Sequence, residues 1–289
     1  MKIIIKLLLV IFLFVTCSKD EDRQITIIPD SNFEQSLIDL GIDNDGLNGR
    51  VLTSEILGIT ELAVSGRGIN DLTGIEDFNS LRELRCDGNQ LTSLDLKNNT
   101  YLEVLYCMEN SITSLDFSNN TSLNFLFCSQ NVITSLDVSN NMSLEVLICY
   151  GNQLTSLDVS NNTSLKFLWC LGNLLTSLDL SNNTSLENLA CSENQLTSLD
   201  ISKNTSLQWF DCFDNQITSL DLSNNTSLKT LGCYNNQLTS LDISNNISLE
   251  LLSCASNPLT CIKVNQTQLD NIPTNWINDA EDTYSLDCN

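Results

Sequence analysis

The chain has 289 residues and is strongly acidic, with 36 aspartates and glutamates, 13 lysines and arginines, no histidine and a formal charge of −23. This balance argues against nucleic acid as a partner, because binding to phosphates depends on lysine and arginine. The sequence also has no glycine-rich phosphate loop and no nucleophile elbow, so we expect neither enzymatic activity nor a bound cofactor.

Residues 1–16 have the pattern of an export signal. Lys2 and Lys6 supply positive charge, and residues 3–15 are mostly apolar, a run too short to span a bilayer comfortably. The segment ends in Phe14-Val-Thr-Cys17, which resembles the lipobox of bacterial lipoproteins. That resemblance implies cleavage after residue 16 and lipidation of Cys17. Ordinary secretion with an incidental cysteine is the alternative.

Residues 17–27 are expected to form an acidic tether. The sequence Ser18-Lys-Asp-Glu-Asp22 is similar to export signals that send some bacterial lipoproteins to the cell surface. The resemblance implies a lipid-anchored protein of the bacterial cell envelope, on the outer membrane and facing outward, which touches the membrane only through its lipid. The alternative is a solvated polar tether that carries no sorting signal.

Residues 28–80 are expected to form an N-terminal cap and a degenerate first repeat. Ser31-Asn-Phe-Glu34 matches a capping box and predicts a helix with Ser31 as its N-cap, ended by Gly41. One apolar face of this helix is expected to cover the end of the core. Its residues are Phe33, Leu37, Ile38 and Leu40.

The sequence Asp43-Asn-Asp45-Gly46 resembles part of a calcium-binding loop, in which carboxylates alternate with other residues. Read as a 12-residue loop, however, the sequence places Gly41 at the first ligand position and Leu52 at the twelfth. We therefore predict a turn here, with calcium binding as the alternative.

Residues 81–260 consist of nine copies of a 21-residue unit. Each copy carries a cysteine and, three residues later, an asparagine. The cysteines are Cys86, Cys107, Cys128, Cys149, Cys170, Cys191, Cys212, Cys233 and Cys254. The asparagines are Asn89, Asn110, Asn131, Asn152, Asn173, Asn194, Asn215, Asn236 and Asn257. A fixed period of this length predicts a solenoid, because one unit has too few apolar residues to fold alone and must stack on its neighbours.

The pattern Leu-x-x-Leu-x-Cys-x-x-Asn-x-Leu resembles the leucine-rich repeat family, in its bacterial, internalin-like form with a cysteine ladder. The resemblance implies a right-handed leucine-rich repeat solenoid of the α/β class, mostly β, with a parallel β-sheet on its concave side. It also implies a helical N-terminal cap and a short C-terminal cap.

Three side-chain columns run along the repeats. We expect the cysteines to be free thiols in the core, because adjacent parallel strands orient their side chains poorly for disulfides. The resemblance implies that the asparagines bond backbone groups in the bend after each strand. The third column is Asp95, Asp116, Asp137, Asp158, Asp179, Asp200, Asp221 and Asp242. It should be a solvated outward face, with a Ca²⁺-binding stripe as the alternative.

Function is expected on the concave face, at the third, fifth and seventh positions of each unit, where apolar and aromatic residues accumulate although the core does not need them. The predicted ligand-binding residues are Val104, Tyr106, Met108, Phe125, Phe127, Val146, Ile148, Tyr150, Phe167, Trp169, Leu171, Trp209, Phe213 and Tyr234. They predict a protein ligand, since aliphatic residues lie beside the aromatic ones. The alternatives are a glycan stacked on the aromatic rings, a self-associating envelope component, or side chains that only pack on one another.

Residues 261–289 are expected to form the C-terminal cap, with Trp276, Tyr284 and Leu286 sealing the last leucine layer. Cys261 and Cys288 lie outside both the ladder and the anchor. In an exported protein these two cysteines should form a disulfide. We expect no metal site in the chain.

Overall fold

The computed structural model describes residues 24–288 and shows a solenoid of short parallel strands with little helix. Eleven strands pair into one sheet, and nearly every strand lies beside the strand of the preceding turn of chain. The predicted leucine-rich repeat solenoid is thereby confirmed.

The N-terminal cap contains a two-stranded antiparallel sheet and two helices. Its elements are β1 (Ile25–Ile27), α1 (Ser31–Asp39), β2 (Arg50–Leu52) and α2 (Thr53–Ile56). The cap packs Phe33 and Phe78 together, with ring centroids 6.4 Å apart, so α1 contacts the first turn of the solenoid.

The predicted capping box at Ser31 is wrong by one residue. Asp30 is the N-cap, and its Oδ1 accepts hydrogen bonds from the backbone N–H groups of residues 32 and 33 at 2.8 and 3.1 Å. Glu34 is therefore free for another role. Only 3% of this residue is exposed, and its Oε1 accepts hydrogen bonds from the backbone N–H groups of residues 48–50.

The predicted apolar face of α1 is shorter than expected. Phe33 and Leu37 are fully buried and Ile38 is half-buried, but 45% of Leu40 is exposed. The reason is that the helix ends at Asp39, so Leu40 leaves the helical face that covers the core.

The main sheet starts next to the cap and ends near the C-terminus. Its strands are β3 (Glu61–Ala63), β4 (Glu83–Arg85), β5 (Val104–Tyr106), β6 (Phe125–Phe127), β7 (Val146–Ile148), β8 (Phe167–Trp169), β9 (Asn188–Ala190), β10 (Trp209–Asp211), β11 (Thr230–Gly232), β13 (Leu251–Ser253) and β15 (Trp276–Ile277). A one-turn 3₁₀ helix, Ile75–Asp77, lies between β3 and β4. Neighbouring strands pair in parallel, position for position, so equivalent residues of the 21-residue units form straight rows.

The core is one continuous cluster from the cap to the last strand. The central residue of each repeat strand points into it; Leu168 in β8 is completely buried, and so is Phe210 in β10. Because a strand alternates its side chains, the two residues beside each central residue must face the other side of the sheet.

The predicted asparagine ladder ties each turn to its neighbour. Asn173 Nδ2 donates to the carbonyl oxygens of Cys149, Cys170 and Leu171 at 3.0–3.3 Å, and its Oδ1 accepts from the backbone N–H of Leu154 at 3.0 Å. The residue before each ladder asparagine has left-handed backbone, even where it is not glycine, as in Glu193 with φ 53°. The ladder thus holds a strained bend in place.

A second asparagine ladder was missed by the sequence analysis. It comes from the second asparagine of the recurrent Ser-Asn-Asn-Thr-Ser, whose 21-residue spacing was the available signal. Asn162 is typical, because its Nδ2 donates to the carbonyls of Val138 and Asn141 in the preceding turn at 3.0 and 2.8 Å. The members are Asn99, Asn120, Asn141, Asn162, Asn183, Asn204, Asn225 and Asn246, all 0% exposed.

The aspartate column lies outside the core and shapes the turns. Asp179 Oδ1 accepts the backbone N–H of Ser181 at 2.9 Å. Hydrogen bonds from Ser181 hold the pKa of Asp179 below its usual value. The column therefore has a local structural role in addition to its exposure to solvent.

All nine ladder cysteines are unbonded and fully shielded from solvent. Burial raises the pKa of the Cys170 thiol to about 12, so the reactive thiolate is scarce at neutral pH.

We therefore expect the ladder thiols to resist alkylation in the folded chain and to react fully after denaturation. Mass mapping of peptides labelled with iodoacetamide before and after unfolding would check this. Rapid labelling of Cys149 or Cys170 in the folded chain, or a bond between two ladder cysteines, would contradict the packing described here.

The C-terminal cap adds a second, three-stranded parallel sheet. Its elements are β12 (Leu241–Asp242), β14 (Cys261–Lys263), α3 (Gln266–Asp270) and β16 (Thr283–Ser285). Cys261 and Cys288 form a disulfide. Trp276 is 7% exposed and lies 5.8 Å from the Tyr284 ring, whereas 44% of Leu286 is exposed. The two aromatic residues close this end, and Leu286 does not. Between residues 24 and 288, no helix is long and apolar enough to cross a bilayer.

Candidate ligand-binding surface

The concave face, defined as the side of the 11-stranded sheet that points away from the core, is built by strand alternation. In β8, Leu168 is buried in the core while Phe167 and Trp169 are half-buried on the opposite side. The residue two positions beyond each strand continues this alternation, as Leu171 does after β8. Strand register and alternation therefore place the predicted residues on one face.

Aromatic side chains of neighbouring strands pack on one another across this face. Tyr106 stacks on Phe127 with ring centroids 4.4 Å apart and an interplanar angle of 4°. Phe213 stacks in the same way on Tyr234, at 4.5 Å and 7°. Part of the aromatic surface is thus used within the protein, which was one of the alternatives left open by the sequence. The exposed ring faces and edges remain available.

One concavity interrupts these stacks. It encloses about 250 Å³ and is lined by Tyr150, Trp169, Leu171, Ala190, Ser192, Trp209, Asp211 and Phe213. Trp169 and Trp209 meet here with ring centroids 5.6 Å apart and planes inclined by 54°. Four other depressions among residues 24–288 are lined mainly by polar side chains, whereas this one is lined mainly by apolar side chains.

The concavity exists because a small residue falls in a row of large ones. Strand register aligns Trp169 with Ala190 and Ala190 with Asp211. Ala190 is 2% exposed and Ser192 is fully buried, so these residues form the floor beneath the two tryptophans. Pockets of this kind, apolar with few polar groups, are typical of ligand sites.

Three polar groups remain in this apolar setting, and one is the buried Ser192 hydroxyl, which has no hydrogen-bond partner among residues 24–288. The Trp169 Nε1–H is buried and has no acceptor among residues 24–288. Asp211 is half-buried in the same row, separated from Trp169 by Ala190, and its carboxylate accepts a hydrogen bond from the backbone of Gly232. A Cβ atom on Gly232 would lie 2.2 Å from Asp211 Oδ1, so glycine leaves the space that this carboxylate occupies.

Burial raises the pKa of Asp211 to about 6, and the hydrogen bond from Gly232 offsets only part of that effect. Since the folded pKa is higher than the ordinary value of 3.8, the folded state binds more protons between these values. The contribution of Asp211 to stability is therefore lost as pH rises from about 4 to about 6.

We expect Asp211→Asn to match the parent melting temperature near pH 4 and to exceed it by about 2–4 °C at pH 7, the shift that ~1 kcal/mol produces in a domain of this size. Calorimetry at both pH values would check this. An equal difference at pH 4 and pH 7 would show that the carboxylate is not desolvated as described.

Most of the predicted residues are half-buried on the concave face, and five of them line the concavity: Tyr150, Trp169, Leu171, Trp209 and Phe213. Ile148 departs from the expectation of an exposed side chain. Only 7% of it is exposed, because register places it between Phe127 and Trp169, whose larger side chains cover it. It supports the surface and offers little contact area.

Three lining residues were absent from the predicted site, namely Ala190, Ser192 and Asp211. The available signal was the change from large to small residues at the fifth and seventh positions of the Asn188–Ala190 unit. The lipidation site predicted at Cys17 lies outside the described residues and stays a prediction.

The chain is similar in sequence and fold to known leucine-rich repeat proteins. A family model described as leucine-rich repeats (2 copies) matches residues 205–246. No curated protein matches the sequence. The functional domain of InlJ from Listeria monocytogenes, which includes a cysteine ladder, aligns with a TM-score of 0.71 and 31% identity over 91% of this chain and 62% of that chain. Internalin C2 from the same species aligns with a TM-score of 0.64 and 25% identity over 72% of this chain and 95% of that chain. A Leptospira interrogans leucine-rich repeat protein shares the fold, with a TM-score of 0.56 and 23% identity over 71% of this chain and 62% of that chain.

A parallel leucine-rich repeat solenoid is a fold typical of protein–protein interaction. The chain belongs to the leucine-rich repeat family, in an internalin-like form with a cysteine ladder. It spans about 62% of the InlJ chain that it matches.

Proposed function

We propose that this protein binds a protein ligand on its concave face, with Trp169 and Trp209 at the centre of the contact. The observation that carries the proposal is the apolar concavity where these two tryptophans meet above a floor of small residues. Binding energy at protein interfaces concentrates in buried aromatic residues near the centre of the contact. A leucine-rich repeat solenoid is a fold typical of protein–protein interaction, which supports the same conclusion.

The surroundings of the tryptophans favour a protein over a glycan. Leu171 lines the concavity, and Val146 and Phe167 pair in register near it, so the surface is a broad apolar patch. Sugar sites need polar partners for hydroxyl groups, and here the buried polar groups are few: the Ser192 hydroxyl, the Trp169 N–H and the Asp211 carboxylate. Glycan binding through Trp169, Trp209 and Tyr106 remains the second candidate, because their rings can stack on sugar faces.

Self-association in the cell envelope is the third candidate. A second copy would bring a charge of −23 against the same charge, which opposes close approach of two chains at low salt. This favours a different partner over a copy of the chain.

We further propose that the protein is anchored to a bacterial outer membrane through lipid on Cys17 and faces outward. The lipobox-like Phe14-Val-Thr-Cys17 and the acidic Ser18-Lys-Asp-Glu-Asp22 support this. Mass spectrometry of the protein from its membrane fraction should find a lipid on Cys17, and Cys17→Ser should remain an unlipidated precursor. An unmodified Cys17 in the parent protein would contradict the anchor. The expected absence of enzymatic activity and of nucleic-acid binding stays a prediction.

The binding proposal is tested by parallel capture and glycan experiments. Immobilised parent chain and a Trp169→Ala/Trp209→Ala variant are exposed to cell-surface extracts and to a glycan array, and self-association is measured by sedimentation. We expect a protein retained by the parent and lost by the variant. Array signal that depends on the tryptophans would support the glycan alternative, and a concentration-dependent dimer lost in the variant would support self-association.

A further inference from the structure

A buried carboxylate in the N-terminal cap lacks a hydrogen-bond donor for one of its oxygens. Asp43, in the loop after α1, is 2% exposed. Its Oδ1 accepts the backbone N–H of Asp45 at 3.1 Å, but its Oδ2 is buried and has no donor within reach among residues 24–288. A buried anionic oxygen without a partner is costly, so it requires an explanation.

The nearest charges make this position less favourable still. The Asp43 carboxylate contacts that of Asp45 and lies in the field of Glu34. No lysine or arginine forms an ion pair with Asp43 in the described part of the chain. Two touching carboxylates need either a shared proton or a cation between them.

The loop sequence has the order of calcium ligands once a single inserted residue is allowed. With Asp43 and Asp45 as the first and third positions, and one residue inserted after them, Asn48, Gly49 and Glu55 take the fifth, sixth and twelfth positions. The count that argued against a calcium loop assumed no insertion and therefore began at Gly41.

The structure also agrees with that alignment at the loop positions that supply no side-chain ligand to the ion. Gly49 has φ 79°, as the sharp turn at the sixth position requires. Val51 is fully buried in β2, and Glu55 lies in α2, so the loop runs from helix to short strand to helix. The Glu34 carboxylate holds the backbone N–H groups of residues 48–50 from outside the loop, which fixes its course.

We propose that the loop between α1 and α2 binds one Ca²⁺ ion through Asp43, Asp45, Asn48 and Glu55. Asp45 and Asn48 already contact each other at 2.9 Å, and Glu55 Oε1 accepts from Asn44 Nδ2 at 3.4 Å, which keeps its carboxylate beside the loop. Oxygen ligands of this kind suit Ca²⁺, which accepts flexible geometry and six to eight ligands.

Glu55 is the ligand that must move. Among residues 24–288, no three acidic side chains converge closely enough to hold a metal ion as they stand. Release of Asn44 and rotation of Glu55 towards Asp43 would supply the third carboxylate. The ion would then offset the repulsion within the pair and join the two helices of the cap.

The test is a thermal and calorimetric titration of the purified chain with CaCl₂, with MgCl₂ in parallel. Because the whole chain is strongly acidic, Asp158→Asn in the exposed aspartate column is the matched control for weak surface binding. We expect the parent to bind one Ca²⁺ with Kd in the range of about 10⁻⁵–10⁻³ M, which loop sites of this type show, and to gain about 5 °C in melting temperature at saturation.

Three isosteric variants distinguish a binding site from a structural pair. Asp45→Asn and Glu55→Gln, at exposed and half-buried positions, should lose at least tenfold in Ca²⁺ affinity while still folding, and Asp158→Asn should bind as the parent does. In the absence of Ca²⁺, Asp43→Asn should be more stable than the parent chain. Its melting temperature should not increase when Ca²⁺ is added. An unchanged Ca²⁺ response in Asp45→Asn and Glu55→Gln, or an equal loss in Asp158→Asn, would overturn the proposal and leave a shared proton as the explanation.

Discussion

Replacing Asn173 by alanine is expected to lower the free energy of unfolding by about 3 kcal/mol, because several buried backbone groups lose their partner at once. The side chain is 6% exposed, donates to three carbonyl oxygens and accepts the backbone N–H of Leu154. Its removal leaves the N–H unsatisfied and loosens the contact between two turns in the middle of the array.

Two measurements check this expectation. Chemical denaturation reports the loss of stability, and hydrogen exchange should accelerate at the Leu154 amide, whose only acceptor in the described structure is Asn173 Oδ1. Asn182→Ala is the matched control, because Asn182 is an exposed asparagine with one hydrogen bond, to the Ser160 carbonyl at 3.2 Å. The Asn182→Ala substitution should change the free energy of unfolding by no more than about 0.5 kcal/mol. Equal costs at the two sites would show that the ladder does not join the turns.

The second large effect is expected on binding. Trp169→Ala should lower the affinity for the captured protein ligand by a factor of about 30 or more, since truncation of a central aromatic residue costs about 2 kcal/mol of binding free energy or more. The loss of stability should be smaller, because Trp169 is half-buried outside the core and its main aromatic contact is Trp209. Trp209→Ala should resemble it, as the other wall of the same concavity.

Titration calorimetry with the captured ligand measures the affinity, and a thermal melt of each variant measures the stability. Tyr101→Ala is the control, because Tyr101 is an aromatic residue outside the concave rows and is 59% exposed. It should bind as the parent does. Intact binding in Trp169→Ala together with a large loss of stability would mean that the indole serves the solenoid and not a ligand.

The repeat made most of the fold predictable. A period of 21 residues fixes which side chains share a row, and the fixed alternation of a strand decides whether a row enters the core. The cysteine column and the first asparagine ladder were therefore placed from sequence alone, whereas the second asparagine ladder was not. The cap lacks this periodicity, and the N-cap predicted at Ser31 lies one residue after Asp30, the N-cap in the structure.

The shape of the surface was less predictable than its composition. A concavity depends on the difference between neighbouring rows, and here it arises from Ala190 between Trp169 and Asp211. Ile148 shows the same dependence on neighbours. It lies on the concave face, but the larger side chains beside it leave little of it exposed. The buried Asp43 could not be foreseen either, since the inserted residue of its loop becomes visible only when the helix and strand on either side are placed.

Site-specific photocrosslinking tests directly whether the concave face contacts a protein. A photoreactive phenylalanine analogue is introduced at Phe167 or Phe213 on this face and at Tyr101 or Met142, which are 59% and 63% exposed outside it. Each chain is then irradiated in cell-surface extract. We expect one and the same protein to be crosslinked from Phe167 and Phe213, and little or none from the other two positions. Crosslinks to that protein mainly from Tyr101 or Met142 would contradict it.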